Sequence, residues 1–245
     1  MAHKGSKKHV LDLIDREDFI YSLNNILRPY KASIIDNKTI QPKGEKDVSE
    51  YGIQSYINKH NLTERFPLLI DFNFDKWWKP CGGKAPTWDM ISLCQLNGRD
   101  ALLLVEAKAH KSEFNKYGKR PLKEKHSDGS ESNLSNIEAR INEACDNLNS
   151  TNNGFTISIK NHYQLSNRVA FAWKLNQLNV PVVLLYLGFT GDIDFNDSFE
   201  SNSHWEEKFN KYISGVVPRN FINKKESDFL FIHSSLPIKN DLINN

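Results

Sequence analysis

The stretch TWDMISLCQLNGRDALLLVEAKAH, residues 87–110, contains two largely apolar runs separated by Asn97 and Gly98. An Asn-Gly pair between alternating or apolar runs is the strongest short-range signal for a β-hairpin. We therefore predict two antiparallel strands, over residues 87–96 and 101–109, joined by this two-residue turn. The hairpin is unusual in having charged side chains near its open end, where burial would make them costly.

The register of the hairpin determines which of these charged side chains meet. With the turn at Asn-Gly, counting outward along the strands places Asp89 opposite Glu106 and Thr87 opposite Lys108. Side chains two residues apart share a face, so Glu106 and Lys108 point the same way. Directly opposed side chains have Cβ atoms roughly 4.5–5.5 Å apart, a separation at which like charges repel.

Two carboxylates held this close require a compensating cation. A divalent metal with oxygen ligands at roughly 2.0–2.6 Å would bridge Asp89 and Glu106. A lysine beside the pair would neutralise charge that develops on a phosphate, or lower the pKa of a nucleophilic water. The alternative is a solvated Asp-Glu-Lys cluster at the end of the strands, partly neutralised by its own lysine.

Asp89 followed by Glu106-Ala107-Lys108 at the end of an apolar strand resembles the D…(D/E)-x-K signature of the PD-(D/E)XK nuclease superfamily. Trp88 precedes the aspartate where the signature has proline. The resemblance implies Mg²⁺ or Mn²⁺ held by Asp89, Glu106 and the Ala107 carbonyl, with Lys108 assisting the attacking water. It also implies a restriction-endonuclease-like α/β fold, with an α-β-β-β-α-β core and a mixed central sheet flanked by helices.

The order of elements along the rest of the chain agrees with such a core. Apolar residues at helical spacing predict helices on both sides of the hairpin, and β-branched or apolar runs predict further strands. The predicted helices cover residues 9–28, 47–60, 133–149, 162–179 and 203–214. The predicted strands outside the hairpin cover residues 67–74, 180–188 and 229–233.

A chain of 245 residues suits one domain with additions or, at most, two small domains. We divide it into an N-terminal helical extension (1–45), a nuclease-like core (46–190), and a C-terminal helix and strand added to the same domain (191–245). The formal net charge of +2 is close to zero. Any surface that binds nucleic acid must therefore be a local basic patch.

The composition argues against several classes of protein. The longest apolar run, residues 180–189, is too short to span a bilayer, and the N-terminus lacks the apolar segment of a secretory signal, so we expect no membrane partner. Cys81, Cys94 and Cys145 form neither a CxxC nor a zinc pattern, which favours a reduced, cytoplasmic compartment. The glycine-rich phosphate-binding motifs are missing from the sequence, so we expect no nucleotide cofactor.

Three candidate site residues lie on the helices predicted to flank the hairpin. Glu50 matches the additional acidic residue that related nucleases carry on the first core helix; alternatively, it forms a capping box with Asp47. Gln164 and Arg168 are four residues apart and share a helix face. In related nucleases such a Gln or Arg lies near the phosphate, whereas the alternative is a helix whose first turn is simply exposed to solvent.

Basic side chains are concentrated directly after the hairpin. Between Lys108 and Lys125 there are seven Lys or Arg residues and two acidic ones. These side chains could contact a phosphate backbone, or they could belong to an ordinary solvated loop. Trp77 and Trp78 precede the hairpin and could stack on bases or fold into the core. The candidate nucleic-acid-binding residues are Lys84, Lys111, Lys116, Lys119, Arg120 and Arg168.

We therefore predict a Mg²⁺-dependent endonuclease that hydrolyses phosphodiester bonds of DNA, with Asp89, Glu106, Lys108, Glu50 and Gln164 as catalytic residues. A non-catalytic domain on the same fold, which binds nucleic acid or protein, is the alternative. A third hypothesis keeps the nuclease chemistry but directs it at branched or RNA substrates. A homodimer is left open.

Overall fold

The computed structural model describes residues 3–225 and 227–238 of the chain. Within these residues, seven α-helices alternate with strands, which makes the protein a mixed α/β structure. The helices are α1 (Gly5–Ile14), α2 (Phe19–Leu27), α3 (Ile53–Lys59), α4 (Phe74–Trp78), α5 (Asp128–Thr151), α6 (Tyr163–Gln177) and α7 (Asn202–Ile213).

The strands of the described residues form a mixed sheet and a small ribbon. They are β1 (Ala32–Ser33), β2 (Tyr51–Gly52), β3 (Thr87–Trp88), β4 (Met90–Leu96), β5 (Arg99–Lys108), β6 (Val182–Thr190) and β7 (Phe229–Pro237). Five strands form the central sheet in the order β1-β4-β5-β6-β7. The β1–β4 and β4–β5 pairs are antiparallel, and the β5–β6 and β6–β7 pairs are parallel. β2 and β3 pair separately, in an antiparallel ribbon.

The β4–β5 hairpin has the predicted turn and the predicted register. Asn97 and Gly98 have φ angles of 52° and 77°, the left-handed conformation that a type I′ turn requires. The ladder starts with Leu96 paired to Arg99 and continues outward in unbroken steps to the last pair of β4. The prediction is therefore confirmed along the whole length of β4.

The open end of the hairpin departs from the prediction. The chain bends at Asp89, so this residue lies outside the ladder and is not the strand partner of Glu106. Thr87 pairs with Gly52 of the ribbon, so the predicted pairing of Thr87 with Lys108 is wrong. Residues 87–88 pair with the ribbon strand β2, and the ladder between β4 and β5 ends at Met90 and Val105.

The predicted strand over residues 67–74 is also wrong. Pro67–Leu69 form a short 3₁₀ turn, and α4 starts at Phe74. The Asn73 side chain caps this helix by accepting a hydrogen bond from Lys76 N at 2.9 Å. The place beside β4 is occupied instead by β1, which comes from much earlier in the chain.

The sheet separates two apolar cores. α1 and α2 cover one face, where they pack near Leu103 and Val105 of β5. The remaining helices cover the other face, near Leu102 and Leu104. Because both faces are covered, β5 is buried from Ala101 to its end, and the charged residues that follow Leu104 on the same face are buried as well.

Both terminal segments contribute to the central sheet. The predicted helix over residues 9–28 is two helices, α1 and α2, followed by the edge strand β1. The predicted helix over residues 47–60 starts only at Ile53, because the two residues before it form β2. The C-terminal segment supplies α7 and the opposite edge strand β7. Among the described residues, no helix combines the length and apolar character needed to cross a bilayer.

Candidate active site

A polar cleft of about 590 Å³ opens where β5 ends, on the sheet face that α6 covers. Its walls come from the start of α1, the bend before β4, the end of β5, the segment after β5, and the first turns of α6. Several side chains in this cleft could bind a ligand or take part in a reaction: Asp89, Glu106, Lys108, Tyr163, Gln164 and Arg168.

Asp89 occupies the bend between β3 and β4. Its Oδ2 accepts a hydrogen bond from Ala107 N at 2.7 Å, so the side chain takes the main-chain donor that a continued ladder would have paired. Asp89 is half-buried and lines the cleft. Within the described residues this is the one hydrogen bond that its carboxylate makes, which leaves Oδ1 without a partner.

Glu106 is 1% exposed, yet both of its carboxylate oxygens are paired. Lys108 Nζ donates to Oε1 at 2.5 Å, and Arg168 Nε donates to Oε2 at 2.6 Å. An unpaired buried charge costs several kcal/mol, so the two cations are what allows this carboxylate to lie in the middle of the protein. The carboxylate and its two partners form one buried network.

Lys108 connects β5 to α6. Its ammonium group donates to Glu106 and also to Gln164 Oε1 at 3.1 Å, and the residue is 4% exposed. Gly188 is its neighbour on β6. A Cβ at Gly188 would lie 2.4 Å from the ring of Trp205, so glycine is needed there for α7 to pack against the sheet beside the site.

Arg168 is buried inside the site instead of lying on the surface. It is 6% exposed, and its Nη2 donates to the Thr87 carbonyl at 2.8 Å while the guanidinium lies 4.4 Å from the centre of the Trp88 ring. Together with its bond to Glu106, these contacts tie β5 to β3. This bridging position was missed by the sequence analysis, although the four-residue spacing from Gln164 correctly indicated a shared helix face.

Burial and charge set the protonation states in the cleft. Burial first, and the negative charge of Glu106 second, raise the pKa of Asp89 to about 7 against the opposing effect of Lys108. Burial also acts to raise the pKa of Glu106, but Arg168 and Lys108 outweigh it and hold that pKa below its usual value. Glu106 is therefore ionised at neutral pH, whereas Asp89 titrates there. Burial raises the pKa of Tyr163 to about 12, so its hydroxyl keeps its proton.

Glu50 lies next to the site but does not line the main cleft. α3 begins at Ile53, so Glu50 is not part of the helix and the capping-box alternative is wrong. Its carboxylate pairs with Lys7 Nζ at 3.1 Å and accepts a hydrogen bond from Thr87 Oγ1 at 3.0 Å. Glu50 borders a small neighbouring cavity that Asp89 also borders, so its predicted catalytic role stays a prediction.

The start of α1 closes one side of the cleft. The Ser6 hydroxyl donates to Glu113 Oε1 at 2.7 Å, and both residues line the cleft. Glu113 Oε2 accepts a hydrogen bond from Ala109 N at 2.5 Å, which fixes the segment that leaves β5. The sequence analysis missed this wall, because Ser6 and Glu113 are 107 residues apart and no local pattern links them.

The candidate phosphate-contacting residues lie outside the cleft lining, with the exception of Arg168. Lys84, Lys116 and Arg120 are exposed, whereas Lys111 and Lys119 are half-buried. Their contact with nucleic acid stays a prediction.

The two adjacent tryptophans pack against the core, which is the second of the two alternatives considered for them. Trp78 is fully buried, and the rings of both Trp77 and Trp78 pack against Phe171 of α6. The hypothesis that Trp78 stacks on bases is therefore wrong, because its ring is fully buried.

The cleft combines a carboxylate pair, a lysine ammonium and an amide, a set suited to binding a cation or a phosphate. Among the described residues, no group of three or more His, Cys, Asp or Glu side chains is arranged to hold a metal ion. Protein ligands for a metal here would be Asp89, Glu106 and main-chain oxygen. Comparisons with protein-family models, with curated proteins and with solved structures found no match.

Proposed function

We propose that the protein is a metal-dependent nuclease that hydrolyses phosphodiester bonds of DNA. The observation that carries the proposal is that Asp89, Glu106, Lys108 and Gln164 meet in one cleft, although they come from three separate parts of the chain: the bend before β4, the end of β5 and the start of α6. The alternative of a solvated surface cluster disagrees with the burial of Glu106 and Lys108. Perturbed, buried ionisable groups that line a cleft are typical of functional sites.

The oxygen donors of the cleft fit a hard divalent cation. Mg²⁺ is commonly bound by one or two carboxylates, and waters complete its coordination. Asp89 offers an unpartnered Oδ1 among the described residues. Both main-chain groups of a strand residue face the same edge, so the Ala107 carbonyl faces the side on which Ala107 N binds Asp89. Asp89, Glu106 and Ala107 would hold Mg²⁺ or Mn²⁺.

A cation at the cleft would compete with the two existing partners of the Glu106 carboxylate. Its Oε1 is bound to Lys108 and its Oε2 to Arg168. A lysine ammonium is a compact charge on a flexible stem, whereas the Arg168 guanidinium is held by two further contacts. We therefore expect Oε1 to be released to the cation while the bond between Arg168 and Oε2 is kept.

The residues of the chain would then divide the work of hydrolysis. When bound, the cation supplies Lewis acidity at the scissile phosphate. The ammonium group of Lys108, freed from Glu106, orients the attacking water and neutralises charge that develops on the phosphate. Gln164 keeps that ammonium in place through its existing hydrogen bond. Arg168 fixes the orientation of the Glu106 carboxylate.

We also propose that β4, β5, α6 and β6 form a restriction-endonuclease-like core. In support, the hairpin that carries the signature is followed by a helix that contributes Gln164 and Arg168 to the site, and the next strand is parallel to β5. One element departs from this arrangement: the strand beside β4 is the short β1 of the N-terminal segment.

Binding of nucleic acid without cleavage is the second candidate function. The observation that favours it is that Lys108 and Arg168 already occupy both oxygens of Glu106, so the network could serve only to hold β5 to α6. In that case no cation would enter the cleft, and no cleavage would follow.

A cleavage assay separates the two functions. Plasmid DNA, single-stranded and duplex oligonucleotides, and RNA are incubated with Mg²⁺, Mn²⁺ or EDTA. We expect the wild-type protein to cut DNA only when metal is present, and Asp89→Asn to cut nothing. Asp71→Asn changes an exposed aspartate outside the cleft and should behave like wild type.

Calorimetric titration with Mn²⁺ alone gives a readout that does not depend on activity. The wild-type protein should bind the metal, and Asp89→Asn should lose the binding heat. If the wild-type protein binds DNA tightly but cuts no substrate with either metal, the binding function replaces the nuclease.

A further inference from the structure

Tyr117 is an exposed aromatic side chain in the segment that follows the candidate active site. It is 82% exposed, the highest value among the large hydrophobic side chains of the described residues. Burying a tyrosine ring is favourable, so a ring left this exposed contributes little to folding. In the sequence, Tyr117 is preceded by Lys116 and followed closely by Lys119 and Arg120, so the segment that carries the ring is positively charged.

The backbone that carries Tyr117 is held firmly against the start of α6. Tyr163 N donates to the Tyr117 carbonyl at 3.1 Å, and Lys119 N donates to the Ile159 carbonyl at 2.8 Å. Gly118 is required for this close approach, because a Cβ there would lie 2.3 Å from the Lys160 carbonyl oxygen. The exposed ring is thus mounted on a fixed part of the structure and not on a free loop.

These main-chain contacts place the backbone of Tyr117 beside the cleft. Asn115, two residues before it, lines the cleft, and so does Tyr163, whose main chain bonds to that of Tyr117. Lys119 Nζ lies 5.4 Å from the centre of the Tyr163 ring, so the positive charge also reaches the cleft wall. The segment that carries Tyr117 and its neighbouring cations therefore borders the place where we propose that a phosphodiester bond is cut.

We infer that Tyr117 stacks on an unpaired base, and that the substrate of this nuclease presents a single-stranded segment at the cleft. The inference rests on the proposed function. A fixed aromatic ring combined with basic side chains along a groove is the usual way to bind single-stranded nucleic acid, because every base has a face to stack on and every linkage has a phosphate. Inside a duplex, those base faces are already covered by neighbouring base pairs.

The test measures binding in EDTA, where no metal-dependent cleavage occurs. Fluorescence anisotropy is recorded with a labelled oligo(dT), a blunt duplex, and the same duplex with a single-stranded overhang. Tyr117→Ala should weaken binding to the oligo(dT) and to the overhang by about tenfold, and leave the blunt duplex almost unchanged. Tyr117→Phe keeps the ring and should bind like wild type.

Tyr21 provides the matched control, since it is also a surface tyrosine, 63% exposed, and it lies on α2. Tyr21→Ala should leave all three affinities unchanged. Equal affinities for wild type and Tyr117→Ala, or an equal loss on the blunt duplex, would overturn the inference. If wild type and Tyr117→Ala bind all three probes equally, contact with a protein partner becomes the explanation for the exposed ring.

The outcomes for Tyr117 and for the nuclease are separable. If the wild-type protein cuts DNA but Tyr117→Ala binds every probe normally, the inference falls and the nuclease stands. If Tyr117→Ala loses affinity for the single strand but the wild-type protein cuts nothing, stacking stands and the nuclease falls.

Discussion

Two buried clusters of ionisable side chains lie on opposite faces of the central sheet, and they differ in how fully their carboxylates are paired. On the α1 face, His9 Nε2 lies 2.6 Å from Asp192 Oδ2, and both residues are almost fully buried. Asp192 Oδ1 accepts a further hydrogen bond from Asp194 N at 2.9 Å. This pair is complete, because each carboxylate oxygen has a partner, and it lies outside the cleft.

The cluster on the α6 face is not complete. Glu106 is matched by Lys108 and Arg168, but within the part of the chain that the structure describes Asp89 accepts one hydrogen bond, from a main-chain amide, and its pKa is raised to about 7. This cluster also opens into a cleft of about 590 Å³. Burial of an ionisable side chain does not by itself indicate a functional site. A carboxylate that has an unpaired oxygen and lies beside a cleft large enough for a ligand does indicate one.

Removing the central carboxylate of the α6-face cluster should have the largest effect. Glu106→Ala leaves Lys108 and Arg168 charged, buried and without their acceptor, which we expect to cost about 3–5 kcal/mol of unfolding free energy. Urea unfolding followed by circular dichroism measures this loss. The control Glu124→Ala removes an exposed glutamate and should stay within about 0.5 kcal/mol of wild type. Similar small losses in both variants would mean that burial of Lys108 and Arg168 does not require the Glu106 carboxylate.

Lys108→Ala tests whether the incomplete cluster acts in the chemical step. We expect the cleavage rate to fall about 10²–10³-fold, or roughly 3–4 kcal/mol, while DNA affinity changes little, because the ammonium acts mainly in the transition state. Single-turnover cleavage and anisotropy measure the two quantities. Lys211→Ala removes an exposed lysine of α7, outside the cleft, and should keep the wild-type rate. A normal rate in Lys108→Ala would exclude the lysine from the reaction.

His9→Ala breaks the complete cluster and should affect stability only. It leaves the Asp192 carboxylate buried without its imidazole partner, so we expect a loss of about 1–3 kcal/mol in urea unfolding. The cleavage rate of the folded protein should match wild type, since His9 lies outside the cleft. A fall in rate as large as that of Lys108→Ala would remove the distinction between the two clusters.

Asp89→Asn should have the smallest effect on stability, and the effect should be positive. In the folded protein the pKa of Asp89 is raised from 3.8 to about 7, so the native state binds more protons than the unfolded state in this range. Wild-type stability therefore falls as pH rises from 3.8 to 7, because ionised Asp89 is disfavoured in the fold.

The Asp89→Asn substitution introduces a side chain that does not titrate, so the contribution of Asp89 to the pH dependence of stability is lost. We expect Asp89→Asn to gain about 0.5–2 kcal/mol at pH 8, with a smaller gain at pH 5. Urea unfolding at both pH values, without added metal, measures the difference. A gain that is equal at both values would mean that Asp89 does not titrate with a raised pKa.

The hairpin and the register of its ladder follow from local sequence patterns. The Asn-Gly turn requires two left-handed residues, and the alternation of side chains then places Glu106 and Lys108 on one face. The spacing of Gln164 and Arg168 likewise placed both on one face of α6. These predictions succeeded because they rest on turn chemistry and on short, regular periods, which act between residues close together in the chain.

The structure at the open end of the hairpin depends on contacts between residues that are far apart in the chain. Residues 87–88, just before the bend at Asp89, pair with β2 and not with β5, and the place beside β4 is taken by β1 instead of residues 67–74. The partners of Arg168 are 62 and 81 residues away, and the cleft wall at Ser6 depends on a contact of similarly long range. Such contacts are chosen by which distant groups best satisfy a buried charge or main-chain donor, and no local pattern in the sequence records that choice.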